Sequence, residues 1–125
     1  MKHYYTDNTD LESKPRTIEY DYGGHRLTLI SDLGVFAKNR IDFGTHLLLQ
    51  TFYSYGGAVH KNRILDVGCG YGIIGLALAK AFPDVQVELV DVNMRAVELA
   101  RKNAASLGAE NATVYQSNLY QKTDN

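Results

Sequence analysis

The chain has 125 residues, enough for one domain of ordinary size, and 45% of them are apolar, so it can bury a core. Lys and Arg number 13 and Asp and Glu 14, and this near balance gives no electrostatic sign of a nucleic-acid-binding surface. The single cysteine, Cys69, excludes an intrachain disulfide and agrees with a cytoplasmic location. No apolar run approaches the roughly 20 residues of a membrane-spanning helix.

The N-terminal part predicts a small β extension. Two β-rich runs, residues 17–22 and 26–30, flank the segment Gly23-Gly24-His25. A Gly-Gly pair between two such runs is typical of a β-hairpin. Residues 31–44 carry no clear periodicity and are predicted to be irregular.

A first helix is predicted from Thr45 to about Tyr55. The Thr45 side chain is suited to cap the free N–H groups at its start, and Gly56-Gly57 would end it. The helix is expected to bury a wide apolar face made of Leu47, Leu48, Leu49 and Phe52.

From residue 63 onward the pattern becomes β-α-β-α-β. Strands are predicted at 64–67, 85–90 and 112–116, with a helix at 73–82 that Pro83 stops. The second helix follows its cap Asn93, ends before Gly108, and carries an apolar stripe of Val97, Ala100, Ala104 and Leu107. Alternating strands and helices predict an α/β fold with three parallel strands and flanking helices.

The most informative stretch is Asp66-Val67-Gly68-Cys69-Gly70-Tyr71-Gly72, between a strand and a helix. Glycines allow a tight turn and close approach of a ligand to the backbone. The helix start offers free N–H groups and a partial positive charge. The sequence therefore predicts a binding site for a nucleotide-sized cofactor at this turn.

Two cofactors fit the glycine pattern. The run from Gly70 to Gly75 spells G-x-G-x-x-G, the dinucleotide fingerprint, and Asp91 at the end of the second strand suits the ribose hydroxyls of either cofactor. Asp66 favours S-adenosylmethionine, because a carboxylate can hold an ammonium group but repels a pyrophosphate. An NAD oxidoreductase is thus the weaker alternative, and a tight turn that binds no ligand is another.

Further candidates lie near this turn and at the ends of the next strands. Val92 follows Asp91 at the end of the second strand. Asn118 and Leu119 follow the third strand, where they would contact an adenine ring. A polar loop residue without a ligand is nearly as good an explanation of Asn118. Cys69 has no base nearby in sequence to make it a nucleophile, so we interpret it as a small residue lining the turn. The histidines show no metal-ligand spacing.

These residues together resemble class I S-adenosylmethionine-dependent methyltransferases. The segments His3-Tyr4-Tyr5, Gly34-Val35-Phe36-Ala37 and the run from Ile41 to Leu49 are similar to the "methyltransferase small" family, and within it to bacterial ribosomal RNA guanine-N2 methyltransferases. The resemblance implies a Rossmann-like fold with a small N-terminal β-hairpin extension at residues 1–44 and a cofactor-binding half at 45–125.

The same resemblance implies roles for individual residues. The methionine end of S-adenosylmethionine would be lined by Asp66, Gly68, Gly70 and Gly72, with Thr45 nearby. Asp91 would bind the ribose hydroxyls and Asn118 the adenine. Ribosomal RNA or the small ribosomal subunit would be the substrate of the intact enzyme.

One departure from the family pattern is serious. The family's catalytic Asn-Pro-Pro signature is absent, because the two prolines, Pro15 and Pro83, follow Lys14 and Phe82. We therefore expect the chain to be the cofactor-binding half of a methyltransferase, inactive alone, and assign no catalytic residue. Two alternatives stay open: a non-catalytic cofactor-binding module completed by a partner chain, and a protein-glutamine methyltransferase.

The missing strands also predict exposed surface. The first parallel strand would be central in the complete fold, in the order three, two, one, four, and becomes a sheet edge in this chain. We expect this edge to promote self-association. We also expect the helix after it to be poorly covered, with Ile73 and Leu76 exposed.

Overall fold

The computed structural model describes residues 15–32, 41–56 and 62–117. Within these ranges the chain forms five strands and three helices. The elements in chain order are β1 (Pro15–Tyr22), β2 (His25–Asp32), α1 (Phe43–Ser54), β3 (Arg63–Val67), α2 (Ile73–Ala81), β4 (Gln86–Asp91), α3 (Met94–Leu107) and β5 (Ala112–Gln116).

Strands β1 and β2 form the predicted antiparallel hairpin. The turn is Gly23-Gly24, with φ values of 56° and 82° that favour glycine. β1 begins two residues earlier than predicted and ends as predicted, whereas β2 extends beyond its predicted bounds at both ends. Alternate side chains point inward and are buried; they are Ile18, Tyr20, Tyr22, Leu27, Leu29 and Ser31. This period of two gives the hairpin one face for the core and one for solvent.

Helix α1 begins earlier than predicted. Its N-cap is Asp42, whose side chain accepts a hydrogen bond from the Thr45 backbone N–H at 2.9 Å. The prediction that Thr45 caps the helix was therefore wrong: a carboxylate three residues earlier binds the orphan N–H, and Thr45 lies in the first turn.

The buried face of α1 is also narrower than predicted. Leu49 is 1% exposed, whereas Leu47 and Leu48 are 53% and 55% exposed. The helix is apolar on nearly all sides, so the sequence pattern does not indicate which side faces the core. The hairpin makes this choice, because the Tyr22 hydroxyl donates to the Leu49 carbonyl at 2.8 Å.

Strands β3, β4 and β5 form a parallel sheet in that order, which agrees with the predicted neighbours and places β4 in the centre. Helix α2 ends at Ala81, one residue before the predicted end, with Phe82 as its C-cap. Helix α3 follows the predicted cap Asn93 and ends before Gly108, whose φ is 66°. The α/β, Rossmann-like fold class is confirmed.

Helices α2 and α3 pack on one face of this sheet, the face that carries Val87, Leu89 and Val114. The prediction that Ile73 and Leu76 would be exposed was wrong, since they are 8% and 0% exposed. Strand β2 packs against both helices and covers surface that the sequence predicted to be exposed. The expected division of the chain at residue 44 stays a prediction.

Among the described residues the opposite face of the sheet is exposed at the edge strand β3, whereas Val90 in the central strand is buried. Leu65 and Val67 of the edge strand β3 are 57% and 62% exposed. Beside them Glu88 accepts a hydrogen bond from the Tyr115 hydroxyl at 2.9 Å and pairs with Arg63. None of the described helices is long and apolar enough to cross a membrane.

Candidate cofactor site

The glycine turn between β3 and α2 is held by backbone hydrogen bonds. The N–H groups of Gly68 and Cys69 both donate to the Val90 carbonyl of β4, at 2.8 and 3.0 Å, and the Gly72 N–H donates to the Cys69 carbonyl at 2.9 Å. Gly68, Gly70 and Gly72 have φ values of 70°, 56° and 102°. These values lie in the left-handed region, so the turn requires glycine at all three predicted positions.

The space beside the turn differs among its glycines. A Cβ added at Gly68 or Gly70 would meet no atom within 4 Å, whereas one at Gly72 would lie 2.9 Å from Leu76 Cδ1. Gly72 thus lets the turn pack on α2, while Gly68 and Gly70 face open space in which a ligand has room to approach the backbone.

Asp66 lies at the C-terminal end of β3, half-buried beneath the turn. Its Oδ2 accepts a hydrogen bond from the Gly75 N–H of α2 at 2.9 Å. Burial raises the pKa of this carboxyl and the negative charge of Asp91 raises it further, while the Gly75 bond lowers it. A cation bound here would relieve both unfavourable effects.

Gly75 is a residue that sequence reasoning did not select for the site. A Cβ at this position would lie 2.6 Å from Leu89 Cδ2 and 3.0 Å from Asp66 Oδ2. The third glycine of the G-x-G-x-x-G pattern was the available signal, because that position commonly allows close packing of helix on strand.

Asp91, the last residue of β4, joins the turn to the next loop. Its Oδ2 accepts from the Gly70 N–H and its Oδ1 from the Asn93 N–H, both at 2.9 Å. Each carboxylate oxygen has a second lone pair, so the side chain keeps acceptor capacity for a ligand's hydroxyl groups. The two strand-end carboxylates that the sequence selected are thus brought to one site.

Cys69 is buried inside the turn, and its Sγ lies 3.6 Å from the Gly70 carbonyl oxygen. Burial raises the pKa of the thiol to about 12, and the charges of Asp66 and Asp91 contribute. A thiol in this environment stays protonated, in agreement with its interpretation as a lining residue and not a nucleophile. Val92, by contrast, has an exposed side chain just after Asp91.

The start of α1 lies close to the turn. Thr45 Oγ1 donates to Asp42 Oδ2 at 3.1 Å, so its hydroxyl is engaged by the cap. Burial, together with the nearby charge of Asp42, raises the pKa of Tyr71 to about 12. The sequence did not identify this electrostatic effect of Asp42 on Tyr71.

The remaining predicted residues, Asn118 and Leu119, lie outside the described residues. Within the described ranges no cluster of three or more His, Cys, Asp or Glu side chains is arranged to hold a metal ion. The site therefore consists of open glycine backbone, a helix N-terminus and two carboxylates at the ends of adjacent parallel strands. In doubly wound folds, ligands bind at this edge of the sheet.

This fold and site define the class: a Rossmann-like cofactor-binding unit of the class I methyltransferase type. The family model of the methyltransferase small domain matches residues 26–125, and the chain belongs to this family. The predicted family is confirmed.

Two relatives and one solved structure place the chain within the family. It is 42% identical over 123 residues to an uncharacterized protein, YbxB, of Bacillus subtilis (strain 168), covering 98% of this chain and 60% of that protein. It is 42% identical over 91 residues to ribosomal RNA small subunit methyltransferase C of Hahella chejuensis, covering 73% of this chain and 25% of that protein.

The solved structure is the T. thermophilus 16S rRNA N2 G1207 methyltransferase (RsmC) in complex with AdoMet and guanosine. It is 26% identical with a TM-score of 0.71, and the match covers 82% of this chain and 28% of that chain. AdoMet is S-adenosylmethionine, on which the family depends, in agreement with the cofactor that the sequence predicts. The chain spans 60% of the length of the Bacillus relative and 25–28% of the two methyltransferases.

Proposed function

We propose that this chain binds S-adenosylmethionine at the glycine turn, as the cofactor-binding part of a methyltransferase that modifies an exocyclic amine of guanine in ribosomal RNA. The observation that carries the proposal is the pair of carboxylates, Asp66 and Asp91, on either side of a glycine turn that opens to solvent at Gly68 and Gly70.

The electrostatics of the site favour this cofactor. S-adenosylmethionine has an ammonium and a sulfonium group and no phosphate, so it brings positive charge toward Asp66, whose charged form is disfavoured without a ligand. The two phosphates of NAD would bring negative charge to the same place. Asp91 retains lone pairs for the ribose hydroxyls, which both cofactors have.

The residues take the following roles in the proposal. Asp66 binds the ammonium group, and the backbone of Gly68, Cys69, Gly70 and Gly72 follows the methionine portion. Asp91 accepts hydrogen bonds from the ribose. Four further selected residues complete the proposed contacts: Val92, Asn118 and Leu119 at the adenine, and Thr45 near the methionine.

The substrate part of the proposal rests on the relatives. The Hahella relative is named for the small-subunit ribosomal RNA, and the Thermus structure for N2 of a guanine in 16S rRNA, with guanosine bound. S-adenosylmethionine supplies the methyl group; this chain's residues hold and orient the cofactor so that a substrate amine can attack in line. A cytoplasmic location belongs to the same proposal.

A second candidate is a non-catalytic cofactor-binding module completed by a partner chain. The observation that favours it is the absence of Asn-Pro-Pro from the 125 residues. The open sheet face and the free edge of β3 are surfaces that a partner would cover.

Calorimetry with S-adenosylmethionine, S-adenosylhomocysteine and NAD tests the cofactor assignment. We expect the first two to bind and NAD not to bind. Asp91→Ala should weaken binding by about 1–3 kcal/mol, the cost of leaving hydrogen bonds to a charged group unmade. Asp84→Ala is the matched control, because Asp84 is exposed in the turn before β4. Preferential binding of NAD contradicts the assignment.

A further inference from the structure

Asn103 of α3 is a buried polar residue, 1% exposed, in the middle of the apolar stripe that packs against the sheet. A buried amide is costly unless its hydrogen bonds are made. The side chain of Asn103 makes three, and none of them is within its own helix.

Two of these bonds hold the hairpin. Asn103 Oδ1 accepts from the Ile30 N–H at 2.8 Å, and its Nδ2 donates to the Ile30 carbonyl at 2.9 Å. The amide thus pairs with both backbone groups of one residue of β2, as a neighbouring strand would. An N–H has a single hydrogen to donate, so the Ile30 N–H is bonded to α3 and not to β1, although Ile30 lies opposite Thr17 in the hairpin.

The third bond reaches the glycine turn. Asn103 Nδ2 donates to the Tyr71 carbonyl at 2.8 Å. The peptide unit between Tyr71 and Gly72 is planar and trans, so its N–H points away from its carbonyl. With the carbonyl held by Asn103, the Gly72 N–H points to the Cys69 carbonyl, which it reaches at 2.9 Å. The amide therefore fixes the orientation of this peptide plane.

Asp91 holds the same turn from the other strand, through the Gly70 N–H. Two side chains thus anchor the turn at the consecutive residues Gly70 and Tyr71. The Asp91 carboxylate has spare acceptor capacity for the ligand, whereas both N–H groups of the Asn103 amide are already used. We infer that Asn103 is a positioning residue for the cofactor: it holds the turn in its binding conformation and couples that conformation to the hairpin.

This inference rests on the proposed function, since it assumes that S-adenosylmethionine binds at the turn. It predicts that loss of the amide weakens cofactor binding although Asn103 itself touches no ligand. A turn that already has its binding conformation loses no conformational entropy when the cofactor binds. Without the amide the turn has to be ordered on binding, and this cost reduces the affinity for the cofactor.

The chain offers a matched control in Asn111, at the opposite end of the sheet. Its Nδ2 shares two hydrogens among the carbonyl oxygens of Ala79, Phe82 and Val85, which lie at 3.0, 3.3 and 2.7 Å. Asn111 therefore anchors backbone carbonyls through the same chemical group, before β5 and away from the glycine turn. Asn111→Ala controls for a general loss of stability.

The test is the affinity of the full chain for S-adenosylhomocysteine, measured by calorimetry at a temperature at which circular dichroism shows each variant folded. We expect Asn103→Ala to weaken binding about tenfold or more and Asn111→Ala by less than about threefold. Equal affinities for the wild-type chain and Asn103→Ala overturn the inference and leave the proposed function intact. Equal weakening by both variants also overturns it, because the effect is then general.

A second measurement needs no variant. Titration of the wild-type chain with S-adenosylhomocysteine should shift the side-chain NH₂ resonances of Asn103 and leave those of Asn111 in place. Unchanged Asn103 resonances in a chain that binds the ligand overturn the inference. A wild-type chain that binds no S-adenosylhomocysteine removes the proposed function and the inference with it.

Discussion

Gly75 is the position at which a single methyl group should do most damage to the site. It is the third residue of α2, and Ala is the better helix former by about 1 kcal/mol, so propensity alone predicts that Gly75→Ala stabilises the chain. The structure predicts the reverse. The new Cβ would lie 2.6 Å from both Leu89 Cδ2 and Cγ, about 1 Å short of the carbon–carbon contact distance of about 3.5 Å.

Leu89 is 0% exposed and has little room to move. Overpacking of a filled core typically costs about 1–3 kcal/mol, so after the helical gain of about 1 kcal/mol we expect Gly75→Ala to lower the free energy of unfolding by up to about 2 kcal/mol. The same Cβ lies 3.0 Å from Asp66 Oδ2, so the carboxylate must shift and affinity for S-adenosylmethionine should fall as well.

Urea denaturation at neutral pH measures the change. Gly44→Ala is the matched control, because Gly44 is the second residue of α1 and a Cβ there meets only Asp42 Oδ1, at an ordinary 3.4 Å. This control should be neutral or stabilising by up to about 1 kcal/mol. If Gly75→Ala unfolds at the same urea concentration as the wild-type chain or a higher one, the close approach of α2 to β4 is not a constraint and the reasoning is refuted.

Three further predictions concern the charge, the activity and the surface of the chain. The pKa of Asp66 is raised in the folded state above its ordinary value of 3.8, so the free energy of unfolding should fall as the pH rises through that folded-state pKa and stay lower at pH 7. Asp66→Asn should remove this loss, so in urea denaturation its free energy of unfolding should increase relative to the wild-type chain from pH 3 to pH 7. The same variant should bind S-adenosylmethionine more weakly. A free energy of unfolding that decreases relative to wild type over this pH range contradicts the predicted direction. The 125-residue chain alone should transfer no radiolabelled methyl group to unmodified ribosomal RNA or 30S subunits, and turnover above background would show that catalytic groups are present in it. Light scattering should report a dimer or larger species that Leu65→Lys reduces, since Leu65 lies on β3, the edge strand of the described sheet. The control Tyr55→Lys changes a side chain that is even more exposed and lies outside the sheet, and it should have no effect.

The sequence by itself determined the local features of this protein. The glycines at 68, 70 and 72 predicted a tight turn, which the structure forms with φ values in the left-handed region, and Gly108 predicted the end of α3. Asp66 and Asp91 were both predicted to bind the cofactor, and they lie at one site because the C-terminal ends of neighbouring parallel strands lie at one edge of a sheet. Each of these signals depends on residues close together in the chain or on a short repeating period, which is why sequence patterns record them.

Only the tertiary structure decided how distant segments cover one another. The prediction of a wide buried face on helix α1 was wrong. The prediction that Ile73 and Leu76 are exposed was also wrong, because β2 packs against the helices. Asn103 binds Ile30, 73 positions earlier in the chain, and no periodicity marks that partner. Such contacts depend on the shapes of surfaces that meet only in the folded chain, so a pattern of neighbouring residues carries no information about them.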